Sequence, residues 1–224
     1  SRGVLFHTDA AQAVGKMQVD VGVVRPDLLT FTGHKLHAPM GIGVLCSQSR
    51  DFVRPVIGGG TQEFGLRPGS ENLACISGLA TACRLRRQQL EQVVYKMSQL
   101  RDTLEAGILN ACEGACCNTP PDASRVCNTT NIRFAGVDGE ALLVRLINRG
   151  VCCSQGSACT SQIPEPSHTL LSMGLTIGEA YQSIRFSFSQ LNTMAEVDEV
   201  IEIVAMSYAE LRRFFDRIER KAAI

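Results

Sequence analysis

A lysine directly follows a histidine at the end of an apolar run in Thr30-Phe31-Thr32-Gly33-His34-Lys35. Upstream, Gln12 closely follows Asp9 in His7-Thr8-Asp9-Ala10-Ala11-Gln12. A lysine amine attacks an aldehyde when it is uncharged and within reach. A carboxylate beside a pyridine nitrogen keeps the ring protonated, which makes the ring an electron sink. Gln12 can hydrogen-bond the ring oxygen, and Thr32 and His34 can contact a phosphate. An acid, an amide and a lysine, each at the end of a buried strand, make a cradle for pyridoxal phosphate.

Farther along, Gly156-Ser157-Ala158-Cys159-Thr160-Ser161 sets a cysteine among small residues. Such a loop can move and lets a substrate approach, and a reactive cysteine is exposed and partly thiolate. Ser183-Ile184-Arg185-Phe186-Ser187-Phe188 alternates, so Ile184, Phe186 and Phe188 face a core while Arg185 and Ser187 face away. A guanidinium there can fork onto a carboxylate. Each residue alone has a plainer reading: a surface lysine in a turn, an N-capping aspartate, a structural cysteine, a solvated arginine. Cys152 and Cys153, flanked by apolar residues, fit the buried structural reading better than Cys159. Together the residues point to sulfur chemistry on a pyridoxal cofactor.

These side chains need strands and loops to hold them. Val4-Leu5-Phe6-His7, Asp27 to Phe31 and Ile42 to Cys46 read as short strands, and their continuous apolar runs predict cover on both faces. Gly58 to Glu63 and Arg67-Pro68-Gly69-Ser70 read as loops. Ser70 is a candidate N-cap for a helix carrying Leu73, Ile76 and Leu79, and Leu90 to Ile108 keeps helical spacing. The spacing places a domain change near Gln89 to Glu91, giving domains at 1–90 and 91–224. Asn110 to Arg125 reads as a surface loop. Then come a strand (Asn131 to Phe134), a helix (Gly139 to Asn148, closed by Gly150) and a strand (Val151 to Cys153). Ser167 is placed to cap one further helix. Thr193 and Glu196 form a capping box for the last helix, which buries Val197, Ile201, Val204, Tyr208, Leu211 and Phe215.

The 224 residues are 45% hydrophobic, enough for a sizeable core, and 22 basic residues balance 22 acidic ones. No net basicity points to nucleic acid or an anionic membrane, and no apolar stretch approaches a membrane span. Ten cysteines are present, but no paired CxxC units and no finger-spaced histidine, which argues against a metal site. A chain this long does not need a disulfide framework, so a reducing cytoplasm is the expected compartment.

The motifs His7 to Lys16, Gly33-His34-Lys35, Arg67-Pro68-Gly69-Ser70-Glu71-Asn72, Gly156 to Ser161 and Ser183 to Ser187 run in order along the chain. Together they resemble the cysteine desulfurases, class V, fold-type I pyridoxal-phosphate enzymes of the NifS/IscS type. The long loop around Cys159, ending in Glu165-Pro166-Ser167-His168, looks like the first desulfurase group. The resemblance implies an α/β fold: a partial large domain with a mixed, mainly parallel sheet (1–90), and a smaller α/β domain with the cysteine loop (91–224). It implies that Lys35 bonds the cofactor and later moves the substrate Cα proton, and that Asp9 pairs with the pyridinium. Gln12 would meet the ring oxygen, and Thr32 and His34 the phosphate. Ser70 would reach the phosphate of a neighbouring subunit in a homodimer, and Arg185 would bind the substrate carboxylate. Cys159 would take sulfur from L-cysteine, release L-alanine and pass the sulfur to an acceptor such as an iron–sulfur scaffold.

The family's chain is longer at its N-terminus, where it carries a glycine/threonine phosphate loop, a ring-stacking histidine and an asparagine. This sequence is therefore expected to be part of a longer gene product, with sheet edges and apolar surface uncovered when alone. The rival readings are a selenocysteine lyase and a cysteine-rich, cofactor-free sulfur-carrier fragment. Cys152 and Cys153, where the family more often has small residues, are expected to pack rather than relay sulfur.

Overall fold

The computed structural model describes residues 3–156 and 165–222, with side chains described as far as 217. The chain divides into two compact units, Ser1–Val94 and Tyr95–Ile224. Strands and helices are interspersed along the chain in an α/β architecture.

The first unit holds β1 (His7–Asp9), β2 (Leu28–Thr32) and β3 (Gly43–Ser47) in the sheet order β1-β2-β3. β1 and β2 are parallel, with Asp9 opposite Thr30, while β2 and β3 are antiparallel, with Thr32 opposite Gly43. The sheet is thus mixed, and the expectation of a mainly parallel one is not met among these strands. The reason is the connection. Residues 33–42 are too few for the crossover that a parallel pair needs, so the chain turns back. The β1–β2 link is longer and contains a four-residue helix, α1 (Val21–Val24), capped by the Asp20 side chain on Gly22 N.

Each strand is displaced from its expected bounds by a residue or more, and Val4 to Phe6 precede β1 instead of starting it. Phe6 still joins the edge: its carbonyl accepts from Asp27 N at 2.8 Å, and its N–H donates to Asp27 Oδ2 at 2.8 Å. Cover on both faces is not found. Leu45 and Cys46 of β3 are exposed, as are Val4, Leu5, Met40, Val56 and Phe64 elsewhere in the first unit. The expected uncovered apolar surface is present in this unit.

The two helical runs of the middle region are one 39-residue helix, α2 (Leu73–Ala111), which begins in the first unit and ends in the second. Its N-cap is Asn72, whose Oδ1 accepts from Cys75 N at 3.1 Å. Ser70 does not cap it, because the helix starts later than the sequence suggests.

The second unit is built on β4 (Ala115–Cys117), β5 (Thr129–Phe134) and β6 (Ser183–Ser187), antiparallel in the order β4-β5-β6. β4 falls in the expected surface loop. Strict alternation on β5 buries Thr130, Ile132 and Phe134, and on β6 it buries Ile184 and Phe186. Against this face pack Leu100, Leu104 and Ile108 of α2, Leu142 and Leu146 of α3 (Gly139–Asn148), and Val197, Val204, Tyr208 and Leu211 of the last helix. These side chains form one continuous apolar core. At about 25 cal/mol per Å² of apolar surface removed from water, it is the main source of this unit's stability.

α3 matches its expected bounds and is capped by Asp138. Ser167 caps α4 (His168–Ser172), as expected. α5 (Ile177–Tyr181) follows with a Thr176–Glu179 capping box. The last helix, α6 (Met194–Ala222), opens on the expected box: Thr193 N donates to Glu196 Oε2 at 2.8 Å, and Glu196 N to Thr193 Oγ1 at 3.3 Å. Val151 to Cys153 is not a strand. It runs beside β6 and joins it only at Ser154, whose N and O both bond to Arg185. Among the described residues no helix is long and apolar enough to cross a membrane.

Candidate active site

The parallel β1–β2 pair decides where the candidate residues of the first unit stand. Parallel strands bring their carboxyl ends to one edge, where the loops of α/β sheets carry ligands. Asp9 ends β1 and Thr32 ends β2, so the Ala10–Gln12 turn and the Gly33–Lys35 turn leave the sheet side by side. A direct bond joins them to the sheet: Ala10 N donates to Thr30 O at 2.7 Å.

Asp9 is exposed, and its Oδ1 accepts from Ala11 N at 2.9 Å, the bond of a turn-initiating aspartate. It therefore fills the plain role and still presents a carboxylate outward. Gln12 is exposed, and its Oε1 accepts from Lys16 Nζ at 2.6 Å. That bond turns the carbonyl toward Lys16 and leaves the amide N–H groups to donate elsewhere.

His34, Lys35 and Leu36 form one 3-10 turn, and Leu36 is its buried anchor. Leu36 N and Ala38 N both donate to Gly33 O, at 2.8 and 3.1 Å, which closes the turn tightly. Gly33 has to be glycine here, since a Cβ would stand 2.7 Å from Ile42 Cγ2. Lys35 is consequently half-buried on a rigid turn. Thr32 Oγ1 and His34 Nδ1 lie 2.9 Å apart, so the threonine fixes the imidazole orientation. His7 Nε2 makes a similar 3.3 Å contact with Thr30 Oγ1. The sequence reading did not single out His7, and its position beside Asp9 was the available signal.

The donor set on this edge fits pyridoxal phosphate. It offers a carboxylate for a pyridinium, an amide N–H for a ring oxygen, a half-buried amine for an aldehyde, and a hydroxyl with an imidazole for a phosphate. Ser70 lies exposed in the loop before α2, where the neighbouring Gly69 N donates to Gln62 Oε1 at 3.2 Å.

Arg185 belongs to the second unit. It lies on the face of β6 opposite the core, half-buried, and its backbone is held between Asn131 of β5 and Ser154. Its Nε is buried and has no hydrogen-bond partner among the described residues. A buried guanidinium nitrogen without a partner is a donor that an anion can satisfy. Cys159 lies outside the described residues.

Cys152 and Cys153 part company. Cys153 packs against the core, and burial, reinforced by the neighbouring Cys152, pushes its thiol up to about 12. Cys152 is exposed, which corrects the expectation that both are buried. Along this segment burial alternates, with Val151 buried, Cys152 exposed and Cys153 half-buried.

Fold and edge together define an α/β protein with a cofactor-type donor set at the carboxyl edge of a parallel strand pair. The aminotransferase class-V family matches residues 1–200. A cysteine desulfurase of Gluconacetobacter diazotrophicus is 43% identical over 210 residues, covering 94% of this chain and 52% of that protein. Cysteine desulfurase NifS of Azotobacter vinelandii is 44% identical over 210 residues, with the same coverage of 94% and 52%. Among solved structures, a NifS-like protein superposes with a TM-score of 0.82 at 31% identity, covering 93% of this chain and 53% of that one. A NifS-like protein from Rickettsia africae gives 0.82 at 30% identity, covering 92% and 54%. The chain belongs to the aminotransferase class-V family. It spans about half the length of the curated relatives it matches.

Proposed function

We propose that this protein acts in a cysteine desulfurase, taking sulfur from L-cysteine and yielding L-alanine with the help of pyridoxal phosphate. The observation that carries the reading is the shared edge of β1 and β2, from which the turn after Asp9 with Gln12 and the turn after Thr32 with His34 and Lys35 both leave. The similarity to proteins named cysteine desulfurase supports the choice of substrate. A selenocysteine lyase is the same chemistry on a neighbouring substrate, and relative rates on the two amino acids separate them.

When bound, the cofactor supplies an electron sink that tolerates loss of the substrate Cα proton. Asp9 keeps a negative charge beside the pyridine nitrogen. Gln12, turned by Lys16, donates its amide N–H to the ring oxygen. Thr32 and His34 hold the phosphate, and in a homodimer Ser70 reaches the neighbouring subunit's phosphate. Lys35, the half-buried amine of the edge, would hold the cofactor and carry the substrate Cα proton. Arg185 would bind the substrate carboxylate. Cys159 attacks the substrate sulfur: a sulfur–sulfur bond forms, the carbon–sulfur bond breaks, and its electron pair stays with the carbon skeleton. The skeleton takes up protons and leaves as L-alanine, and the persulfide on Cys159 passes sulfur to an acceptor protein such as an iron–sulfur scaffold. A cytoplasmic setting suits a persulfide carrier.

The test is incubation with pyridoxal phosphate and L-cysteine, followed by assay of L-alanine and mass analysis of Cys159. L-alanine with one extra sulfur on Cys159, both lost in Lys35→Ala, is the expected result. L-alanine formed by a Cys159→Ser variant at the original rate would overturn the assignment of Cys159.

A further inference from the structure

The outer face of the second sheet carries a second arginine. Arg133 of β5 stands opposite Ser183, and Arg185 opposite Asn131. Both arginines occupy positions alternate to the buried Ile132 and Ile184, so both lie on the face away from the core. Their registers make them diagonal neighbours, within reach for side chains of this length. Like Arg185, Arg133 has a buried Nε with no hydrogen-bond partner among the described residues. Two guanidinium groups side by side would ordinarily recruit a doubly charged anion.

Glu179 prevents this. Its Oε1 pairs with Arg133 Nη1. Its Oε2 accepts from Thr176 N at 2.9 Å and from Thr176 Oγ1 at 2.8 Å, so the carboxylate is fixed by the start of α5. The backbone behind it is fixed too. Ser183 Oγ donates to Glu179 O at 2.7 Å, and Asn118 Nδ2 donates to Ser183 Oγ at 2.9 Å and to Asn131 Oδ1 at 2.5 Å. This chain of bonds ends at the residue facing Arg185. The carboxylate thus cancels one guanidinium in a geometry that leaves the other available.

We propose that Glu179 is a specificity determinant of the Arg185 site: by neutralising Arg133 it leaves one uncompensated guanidinium, which selects a monocarboxylate over a dianion. The proposal rests on Arg185 binding a carboxylate. It names the substrate class as amino acids with a single anionic group, and excludes those with an acidic side chain.

The experiment is titration of the full chain with acetate and with malonate at pH 7, followed by NMR at the Ser154, Asn131 and Arg185 amides. It needs neither cofactor nor turnover. Glutamine keeps one acceptor for Thr176, so Glu179→Gln retains the cap while removing the charge and the acceptor that faces Arg133. In the unsubstituted protein acetate is expected to bind at least as tightly as malonate. In Glu179→Gln the preference should shift toward malonate by roughly tenfold, and Arg133→Met in that background should restore the original ratio. An unchanged acetate-to-malonate ratio in Glu179→Gln, with acetate binding still lost in Arg185→Met, would overturn the proposal and leave the carboxylate reading intact. Acetate binding that survives Arg185→Met would overturn both.

Discussion

Asp9 and Thr30 are register partners in a parallel strand pair, and from them the chain enters the two turns that carry Gln12 and Lys35. One sheet edge thus gathers an acid, an amide, a hydroxyl, an imidazole and an amine from segments well apart in sequence. The candidate site of the first unit follows from that pairing more than from any single residue.

The Thr32–His34 contact is expected to matter for phosphate binding. Thr32→Val removes the 2.9 Å partner of His34 Nδ1. A lost hydrogen bond of this kind is worth about 1 kcal/mol, so affinity for pyridoxal phosphate should fall by a factor of roughly 5 to 10. Thr32→Ser should retain most of it. Fluorescence titration with the cofactor measures both.

Thiol reactivity should separate the adjacent cysteines. Cys152 is exposed, whereas burial, with the neighbouring Cys152, holds the Cys153 thiol up at about 12. Iodoacetamide at pH 8 should alkylate Cys152 in the folded protein and leave Cys153 unmodified until denaturant is added. Peptide mass mapping reads the order, and equal labelling of the two would contradict the packing of Cys153.

Stability of the second unit should fall in acid through Glu105. Burial alone would raise its pKa. The bidentate bond from Arg125, at 2.5 and 2.8 Å, with further help from Thr130 and Arg101, brings it below the ordinary 4.5. A carboxyl whose folded pKa is depressed stabilises the fold above its unfolded pKa, and that contribution drains away as pH falls through the folded value. Melting curves should therefore lose midpoint steadily below about pH 4.5, and Glu105→Gln should flatten that part of the profile while lowering the midpoint at pH 7.

Tyr208 ties the last helix to the sheet. Its hydroxyl bonds to Ala135 O at 3.0 Å and to Glu113 O, and the ring is buried against Phe134. Tyr208→Phe keeps the ring and orphans the carbonyls, at a cost of about 1–3 kcal/mol. Chemical denaturation should show a lower midpoint with an unchanged slope.

Much of this was legible in the sequence where local chemistry decides. The Thr193–Glu196 box, the Ser167 cap, the span of α3 and the two faces of β6 all depend on residues close to one another. Features set by distant partners were not legible. β4 is a three-residue edge strand whose extended form comes from pairing with β5, so Cys116 and Cys117 between Gly114 and Asn118 read as loop. α1 is a short helix of glycine and β-branched residues, a composition that disfavours helix, and Asp20 caps it. Asn72, not Ser70, caps α2 because the helix starts at Leu73, a position that the local sequence does not fix. Lys35 was legible as a lysine in a turn. Its place on the same sheet edge as Asp9 depends on the β1–β2 pairing, which no local pattern encodes. Arg133 and Glu179 carried no signal at all until β5 and α5 were placed together.

The most direct test is the visible absorption spectrum of the chain with pyridoxal phosphate, before and after L-cysteine, alongside Lys35→Ala. A band that depends on Lys35 and shifts when L-cysteine is added is the predicted result. A band of equal strength in Lys35→Ala, or no band in either protein, would contradict the claim that this edge holds the cofactor through Lys35.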